Sequence, residues 1–142
     1  HIIHRFNIEM QIIENNQDIR ELPELWNHEF EKIFNLRVPS DNLGCLQDIH
    51  WYGGDFGYFP TYSIGAFIAS QLKYAVKQDI PRMSSLIQKG EFNQIVSWLK
   101  KNVHQHGNLY EVNPLLRKIT SKELDLSYFK KHIKERYIDK KF

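Results

Sequence analysis

The 20-residue segment PTYSIGAFIASQLKYAVKQD, residues 60–79, has the pattern of one long helix. Pro60 opens the segment, and the first turn of a helix tolerates a residue that lacks a backbone N–H group. Small residues alternate with apolar ones along the segment, and small side chains let a second helix approach closely. We therefore predict a long buried helix that packs against another helix.

The rest of the chain also follows helical periodicity. Apolar residues recur at intervals of three and four in the segments LPELWNHEFEKIF, FNQIVSWLKKNV and LSYFKKHIKERYI. The first segment, HIIHRFNIEMQII, fits more loosely, with Ile2, Phe6 and Ile13 on one expected buried side. No stretch alternates with period two, so the predicted fold class is all-α, a helical bundle-like domain over residues 1–142.

Composition argues against several classes of function. Nineteen basic residues against seventeen acidic ones give a net charge of +2, and a nucleic-acid-binding protein needs a concentrated basic surface. No apolar run approaches the roughly 18 residues of a membrane span. We expect neither a nucleic-acid nor a membrane partner.

The single cysteine, Cys45, can form no internal disulfide, which suits the reducing cytoplasm, and its apolar neighbours predict a small buried residue. The chain lacks an initial Met and begins inside a predicted helix, so we expect a fragment of a longer protein.

Seven histidines raise the question of a metal site. His1 and His4 lie three residues apart on the first predicted helix, but no Glu stands between them as in a zinc-protease helix. We favour a solvated or partner-facing helix face for this pair. His104 and His106 lie in the last turn of the predicted helix FNQIVSWLKKNVHQHG, just before Gly107, where imidazole groups meet the negative end of the helix dipole. The prediction is that this chain alone holds no metal.

The segment GCLQDIHW, residues 44–51, places three polar side chains close together. Asp48 can hold the imidazole of His50 in one orientation. Such a pair can donate a hydrogen bond to developing negative charge. The alternative is that Gln47, Asp48 and His50 only satisfy buried backbone groups beneath a loop. The residues by themselves leave both interpretations open.

This segment and its continuation GGDFGYFPTYSIG resemble the G-x-x-Q-D-x-H-W signature and the F-G-Y-F-P-T-Y continuation of the carboxypeptidase Taq family of zinc metallocarboxypeptidases. The five fixed signature positions match at Gly44, Gln47, Asp48, His50 and Trp51. The segments HIIHRFNIE, LPELWN and GEFNQIVSWLKKNVHQHG are similar to further parts of the family. The family's H-E-x-x-H helix and I-R-x-x-A-D motif do not occur, so the resemblance implies the C-terminal portion of a larger, mainly helical metallopeptidase.

The resemblance implies an activity for the parent enzyme: hydrolysis of single residues from peptide C-termini, with zinc or cobalt held in its missing N-terminal part. This chain alone would be inactive. The expected partners are the C-terminus of a peptide substrate, the missing part of the parent, and a second copy in a homodimer, since a cut helical enzyme exposes apolar surface. The alternative is a stand-alone helical interaction module from a truncated gene, without catalysis.

The resemblance also implies roles for individual residues. His50, oriented by Asp48, would donate to the scissile carbonyl oxygen or its oxyanion. Tyr62, and after it Tyr58, would offer a phenol to the oxyanion or to the terminal carboxylate of the substrate. Gln47 would fix the loop. The implied catalytic residues are His50, Tyr62 and Asp48, and the implied substrate-binding residues are Gln47, Tyr58 and Arg5. For Arg5 the alternative is a structural ion pair, the more frequent role of an Arg in a packed helix.

Other positions are expected to act in packing or depart from the family. The rings of Trp51, Phe56 and Phe59 would hold the loop against the helix that starts at Pro60. His4 stands where the family usually has Leu, and this change fits a first helix that meets solvent or a different partner, or ordinary drift.

Overall fold

The computed structural model describes residues 1–140 of the chain. This part contains eight α-helices, numbered here in chain order: α1 (Ile2–Ile13), α2 (Leu22–Phe34), α3 (Ile49–Gly53), α4 (Pro60–Asp79), α5 (Met83–Gln88), α6 (Asn93–Asn102), α7 (Val112–Thr120) and α8 (Ser127–Ile133). No strand occurs in residues 1–140, so the all-α prediction is confirmed. None of the helices there is both long and apolar enough to span a membrane.

The chain divides into two compact units, His1–Ile64 (unit 1) and Gly65–Phe142 (unit 2). Helices α1 to α3 lie in unit 1 and α5 to α8 in unit 2, while α4 begins in the first and continues in the second. The interpretation of residues 1–142 as a single domain concerns how the whole chain folds, and it stays a prediction.

The core of unit 1 is built around three buried side chains, Ile8, Trp26 and Cys45. Burial raises the pKa of the Cys45 thiol and fits the small, inert residue predicted there. Six partly buried apolar residues pack around this core: Ile12, Leu22, Leu25, Phe30, Val38 and Trp51.

Helix α1 exists as predicted, but the prediction of its buried side was wrong. Its buried residues are His4, Ile8 and Glu9, whereas Phe6 is 40% exposed and Ile13 is 61% exposed. Two polar side chains therefore occupy the inner face. Periodicity could not find that face, because the apolar residues of this helix are spread around its circumference.

His4 is fully buried, so a solvated or partner-facing position was wrong for this residue. Its ring packs edge-on against Trp26, Phe30 and Phe34, with ring centroids 4.4, 5.6 and 6.4 Å away. Burial among these rings lowers the pKa of His4 to about 4, with a smaller contribution from the neighbouring Arg5 charge. The imidazole therefore behaves as a neutral aromatic core residue at neutral pH.

Helix α4 has the bounds predicted from the sequence, but its predicted burial was wrong. Only Gln71 and Val76 are buried along its 20 residues. A Cβ atom built on Gly65 would meet nothing within 4 Å, so no second helix of the described residues approaches there. Small residues permit a close helix contact without supplying the partner.

In unit 2, one buried amide connects α4 to the segment between α7 and α8. The Nε2 atom of Gln71 donates to the Thr120 hydroxyl at 2.9 Å and to the Glu123 carbonyl at 3.0 Å. Its Oε1 atom accepts from the backbone N–H of Asp125 at 3.0 Å. A buried polar group is tolerated when its hydrogen bonds are satisfied in this way.

The second unit also corrects the predicted end of one helix. Helix α6 stops at Asn102, and His104–His106 form a separate 3₁₀ turn that ends at Gly107. The two imidazoles therefore lie on this turn and not in the last turn of an α-helix.

Candidate active site

The candidate site is built on a glycine that leaves no room for a side chain. Gly44 is buried, and a Cβ atom there would lie 2.7 Å from Val38 Cγ1 and 3.3 Å from the Ser40 carbonyl oxygen and from Trp26 Cδ1. Real Cβ contacts are not as close as the first of these. Glycine at the start of the signature therefore lets the loop pack directly on the core of unit 1.

Asp48 begins α3 and receives three hydrogen bonds. Its Oδ1 atom accepts from the backbone N–H of His50 at 3.0 Å, the usual N-cap contact. The same oxygen lies 3.1 Å from Nδ1 of the His50 ring. Its Oδ2 atom accepts from the Arg5 Nε–H in an ion pair between α1 and the signature. The side chain of Asp48 is 1% exposed, so its charge is held by these groups and not by water.

The His50 ring connects Asp48 to a phenol. Its Nε2 atom lies 3.1 Å from the Tyr62 hydroxyl oxygen. Because Asp48 accepts from Nδ1–H, Nε2 accepts from Tyr62 when the ring is neutral and donates when the ring is charged. Arg5, Asp48, His50 and Tyr62 thus form one continuous hydrogen-bonded chain.

Aromatic rings surround this chain of polar groups. Phe59 is buried and packs against both His50 and Arg5. Its ring centroid lies 4.9 Å from that of His50 and 5.7 Å from the Arg5 guanidinium carbon. The same guanidinium carbon lies 5.0 Å from the centroid of Trp26. Tyr58 stacks on His50 at 5.9 Å. Apolar walls of this kind strengthen the electrostatic interactions among the groups that they enclose.

Five of the six site residues predicted from the sequence line one cavity of about 240 Å³: Arg5, Gln47, Asp48, His50 and Tyr62. The sixth, Tyr58, contacts the rings of His50 and Tyr62. Gln47 donates from its amide nitrogen to the Asn42 carbonyl, as expected of a residue that fixes the loop. The structure therefore brings the predicted residues together, while their roles stay predictions.

The predicted packing rings behave differently from one another. Phe59 is 2% exposed and Trp51 is half-buried, as packing requires, but Phe56 is 48% exposed. The prediction that Phe56 packs the loop against α4 was wrong, since its ring is largely exposed between the left-handed turns at Gly54 and Gly57.

Sequence reasoning missed one residue near the site, Glu9. This carboxylate is 4% exposed. It accepts from the Trp51 indole N–H at 2.9 Å and from the Gly57 backbone N–H at 3.0 Å. A possible signal was the acidic residue one turn after Arg5 in a mainly apolar helix, but its partners lie 42 and 48 residues away.

Within residues 1–140, no three His, Cys, Asp or Glu side chains come together where they could hold a metal ion. His50 and Asp48 are therefore arranged for hydrogen bonding and not as part of such a group.

Comparison with known proteins places this site in a family. The sequence pattern of the carboxypeptidase Taq (M32) metallopeptidase family matches residues 1–137. The chain is 39% identical over 138 residues to thermostable carboxypeptidase 1 of Pyrococcus furiosus, covering 97% of this chain and 28% of that protein. It is 38% identical over 137 residues to carboxypeptidase 1 of Bacillus subtilis, covering 96% of this chain and 27% of that protein.

A solved structure gives the same result. The BsuCP crystal structure matches with a TM-score of 0.92 and 37% sequence identity, over 98% of this chain and 28% of that one. The chain thus spans little more than a quarter of the length of the relatives that it matches. The family pattern covers nearly all of the described residues, and on this ground the chain belongs to the carboxypeptidase Taq (M32) family of metallopeptidases.

Proposed function

We propose that unit 1 forms the substrate-facing wall of a metallocarboxypeptidase active site, in an enzyme that removes single residues from peptide C-termini. The observation that carries this proposal is the hydrogen-bonded chain Arg5, Asp48, His50 and Tyr62 along one cavity. Membership of a family of carboxypeptidases supplies the reaction class.

The first role is stabilisation of negative charge. Peptide hydrolysis places a developing negative charge on the scissile carbonyl oxygen, and fixed donors lower the energy of that state. Asp48 holds Nδ1–H of His50, which leaves Nε2 directed at the cavity. In the charged form of the ring, Nε2–H would exchange the Tyr62 oxygen for the oxyanion, and the Tyr62 hydroxyl next to it would donate a second hydrogen bond to the same oxyanion.

The second role is recognition of the substrate terminus. Arg5 directs its Nε–H to Asp48 and lines the cavity with a side chain that is 18% exposed. A guanidinium offers five N–H donors, so its remaining donors can bind a terminal carboxylate. We assign Tyr58 and Gln47 to the same subsite as neutral hydrogen-bond donors.

The metal of a metallopeptidase does not fit the residues described here, since no suitable group of ligands occurs within residues 1–140. No catalytic step is therefore derived through it. The proposal places zinc or cobalt in another part of a longer polypeptide, with which unit 1 would complete the site. The isolated chain would then be inactive.

Exposed apolar side chains support such a partner. On unit 1, Ile3, Ile49 and Tyr52 are 69%, 75% and 70% exposed. Contact with a partner would remove this apolar side-chain surface from water, which is favourable. We propose the remaining part of the carboxypeptidase as the main occupant, with a homodimer as a further contact.

The test is His50→Ala in the full-length polypeptide that contains residues 1–142. We expect release of C-terminal residues from a blocked dipeptide to fall about a hundredfold or more, the scale of losing one oxyanion donor. Metal content and melting temperature should remain unchanged. Full activity in a folded variant would contradict the proposal and favour the alternative of a helical interaction module, whereas unfolding would give His50 a structural role.

A further inference from the structure

We propose that Glu9 is a positioning residue that sets the distance between His50 and Tyr62 by clamping the loop between α3 and α4. This inference rests on the proposed function of these two residues. It assigns no contact with substrate to Glu9, which acts through the loop.

One donor to Glu9 lies on the helix that carries His50, and the other lies in the loop that leads to the helix that carries Tyr62. Trp51, which donates to Oε1 at 2.9 Å, follows His50 directly on α3. Gly57, which donates to Oε2 at 3.0 Å, lies one residue before Tyr58 and three before the first residue of α4. One carboxylate on α1 therefore holds both the helix that carries His50 and the approach to the helix that carries Tyr62.

The loop itself is poorly suited to fixing this distance. It turns at Gly54 and Gly57, whose φ angles are +78° and +76°, in the left-handed region that favours glycine. Glycine has more conformational freedom than other residues, so a segment with two such turns is easily displaced. Phe56 between them is 48% exposed and does not anchor the segment. A contact from outside the loop is needed, and the Gly57 N–H···Glu9 hydrogen bond supplies one.

The carboxylate is held in a way that suits a clamp. Glu9 is 4% exposed, and no ion pair involves it within residues 1–140. A buried carboxylate without a cation is costly unless hydrogen bonds compensate, and each oxygen of Glu9 has one N–H donor. Both bonds must therefore be kept for the side chain to remain buried, which couples the position of Trp51 to that of Gly57.

A small displacement of the loop would be enough to separate the site residues. The His50 Nε2 to Tyr62 hydroxyl distance is 3.1 Å, near the upper limit for a hydrogen bond between these groups. A shift of about 1 Å in either helix end would break that contact, and misplacement on this scale can cost about a hundredfold in rate.

The central variant is Glu9→Gln in the full-length, metal-containing polypeptide. Gln keeps the shape of Glu but replaces one accepting oxygen by an NH₂ group, which would face the N–H of Trp51 or Gly57. We expect kcat for a blocked dipeptide to fall between tenfold and a hundredfold, with KM changed less than about threefold. The matched control is Glu14→Gln, an exposed residue just after the same helix, for which we expect unchanged kinetics.

Two further variants separate positioning from a merely structural role. Trp51→Phe removes one donor and keeps an aromatic ring, so kcat should fall about threefold to tenfold in a folded protein. In a His50→Ala background, Glu9→Gln should cause no further loss, because residues that act through one another are not additive. A structural role predicts instead a lower melting temperature with wild-type kcat per folded molecule, and that result would overturn the inference.

The outcomes also distinguish this inference from the proposed function. If His50→Ala is inactive while folded Glu9→Gln and Trp51→Phe have wild-type kcat, the inference fails and the proposed function stands. If His50→Ala is fully active, the proposed function fails. A crystal structure of Glu9→Gln then tests the clamp without an activity measurement. A displaced loop and a distance beyond 3.5 Å between His50 Nε2 and the Tyr62 hydroxyl support the inference, and an unchanged loop overturns it. Should Glu9→Gln fail to fold, a crystal structure of Trp51→Phe is read in the same way.

Discussion

The two units bury polar side chains of different kinds. In unit 1 the buried polar residues are His4, Glu9 and Asp48, all of them titratable, while the buried polar residue described in unit 2 is the neutral amide Gln71. Gln71 has its donors and acceptor satisfied by Thr120 and by backbone groups. A neutral, satisfied amide fixes a fold at every pH. Titratable buried groups fix a fold only while their protonation states hold.

The two kinds of buried group serve different purposes: those of unit 1 hold residues of the candidate site, and that of unit 2 holds helices together. Asp48 accepts from His50, which lines the cavity of unit 1, and Glu9 accepts from Trp51 and Gly57, which belong to the same segment as His50, whereas Gln71 connects helices. We therefore expect damage to unit 1 to change both activity and pH dependence, and damage to unit 2 to change stability alone.

The largest effect is expected for Asp48→Ala. This change removes the acceptor for the His50 ring, the cap of α3 and the partner of Arg5 at once. Activity of the full-length enzyme should fall at least a hundredfold, and breaking a largely buried ion pair should lower the free energy of unfolding by about 3 to 5 kcal/mol. Denaturant unfolding measures the free energy of unfolding, and release of residues from a blocked dipeptide measures the activity. Asp48→Asn keeps an oxygen that caps α3, so this variant should be more stable than Asp48→Ala. An Asp48→Ala protein that is as stable and as active as wild type would contradict the difference proposed between the two units.

The second prediction concerns the pH dependence that His4 gives to unit 1. The folded-state pKa of His4 is about 4, below its ordinary value of 6.5, so between these values the unfolded chain binds a proton that the folded chain does not. Stability should be unaffected by His4 above pH 6.5 and fall as the pH drops toward 4, by about 3 kcal/mol in total.

The control for that effect is His4→Leu, the residue usual in the family. Neither ring nitrogen of His4 has a hydrogen-bond partner within residues 1–140, so Leu should fit the site and abolish this part of the acid sensitivity. The difference in unfolding free energy between the two proteins, measured from pH 7 to pH 4, isolates the contribution of His4. If the unfolding free energies of the two proteins change with pH in the same way, the predicted contribution of His4 is contradicted.

The third prediction tests unit 2 with Gln71→Leu. The substitution leaves the Asp125 N–H without its acceptor and the Glu123 carbonyl without its Gln71 donor, and a buried unsatisfied group costs about 1 to 3 kcal/mol. We expect a loss of about 2 kcal/mol, equal at pH 7 and pH 5, with kcat unchanged in the full-length enzyme. A loss of activity without a loss of stability would place unit 2 in the catalytic machinery.

The smallest effect is expected for Glu123→Gln. This exposed carboxylate pairs with Arg117, with side chains 56% and 58% exposed. Exposed ion pairs contribute little, so the change should be at most about 0.5 kcal/mol. Because the Glu123 carbonyl still accepts from Gln71, the variant separates the side chain from the backbone contact. A loss as large as that of Gln71→Leu would show that the surface pair supports the buried amide.

The sequence was sufficient for the elements whose signals are local. Pro60 marks the start of α4, and the residues from Gly44 to Tyr62 come together because the signature is compact in the chain. The family resemblance was needed for Arg5, whose partner Asp48 lies 43 residues away.

What could not be predicted depended on partners rather than patterns. His4 is buried because Trp26, Phe30 and Phe34 surround it, and no periodicity in α1 reveals which rings another helix brings. Glu9 was missed for the same reason. The exposed small residues of α4 show the converse, since periodicity indicates which face of a helix can pack but not what covers it.

The pairing of Arg5 with Asp48 and of Glu9 with Trp51 and Gly57 has a consequence for the order of folding. These contacts join positions 42 to 48 residues apart, and the entropy of closing so long a loop must be overcome before any of them contributes. We expect the N–H of Gly57 to exchange with solvent faster than those inside α2, and slower exchange would contradict this. The cavity would then be the last part of unit 1 to assemble and the first to open. A chain in which α1 has not yet docked would therefore contain every site residue, but these residues would not yet form the site.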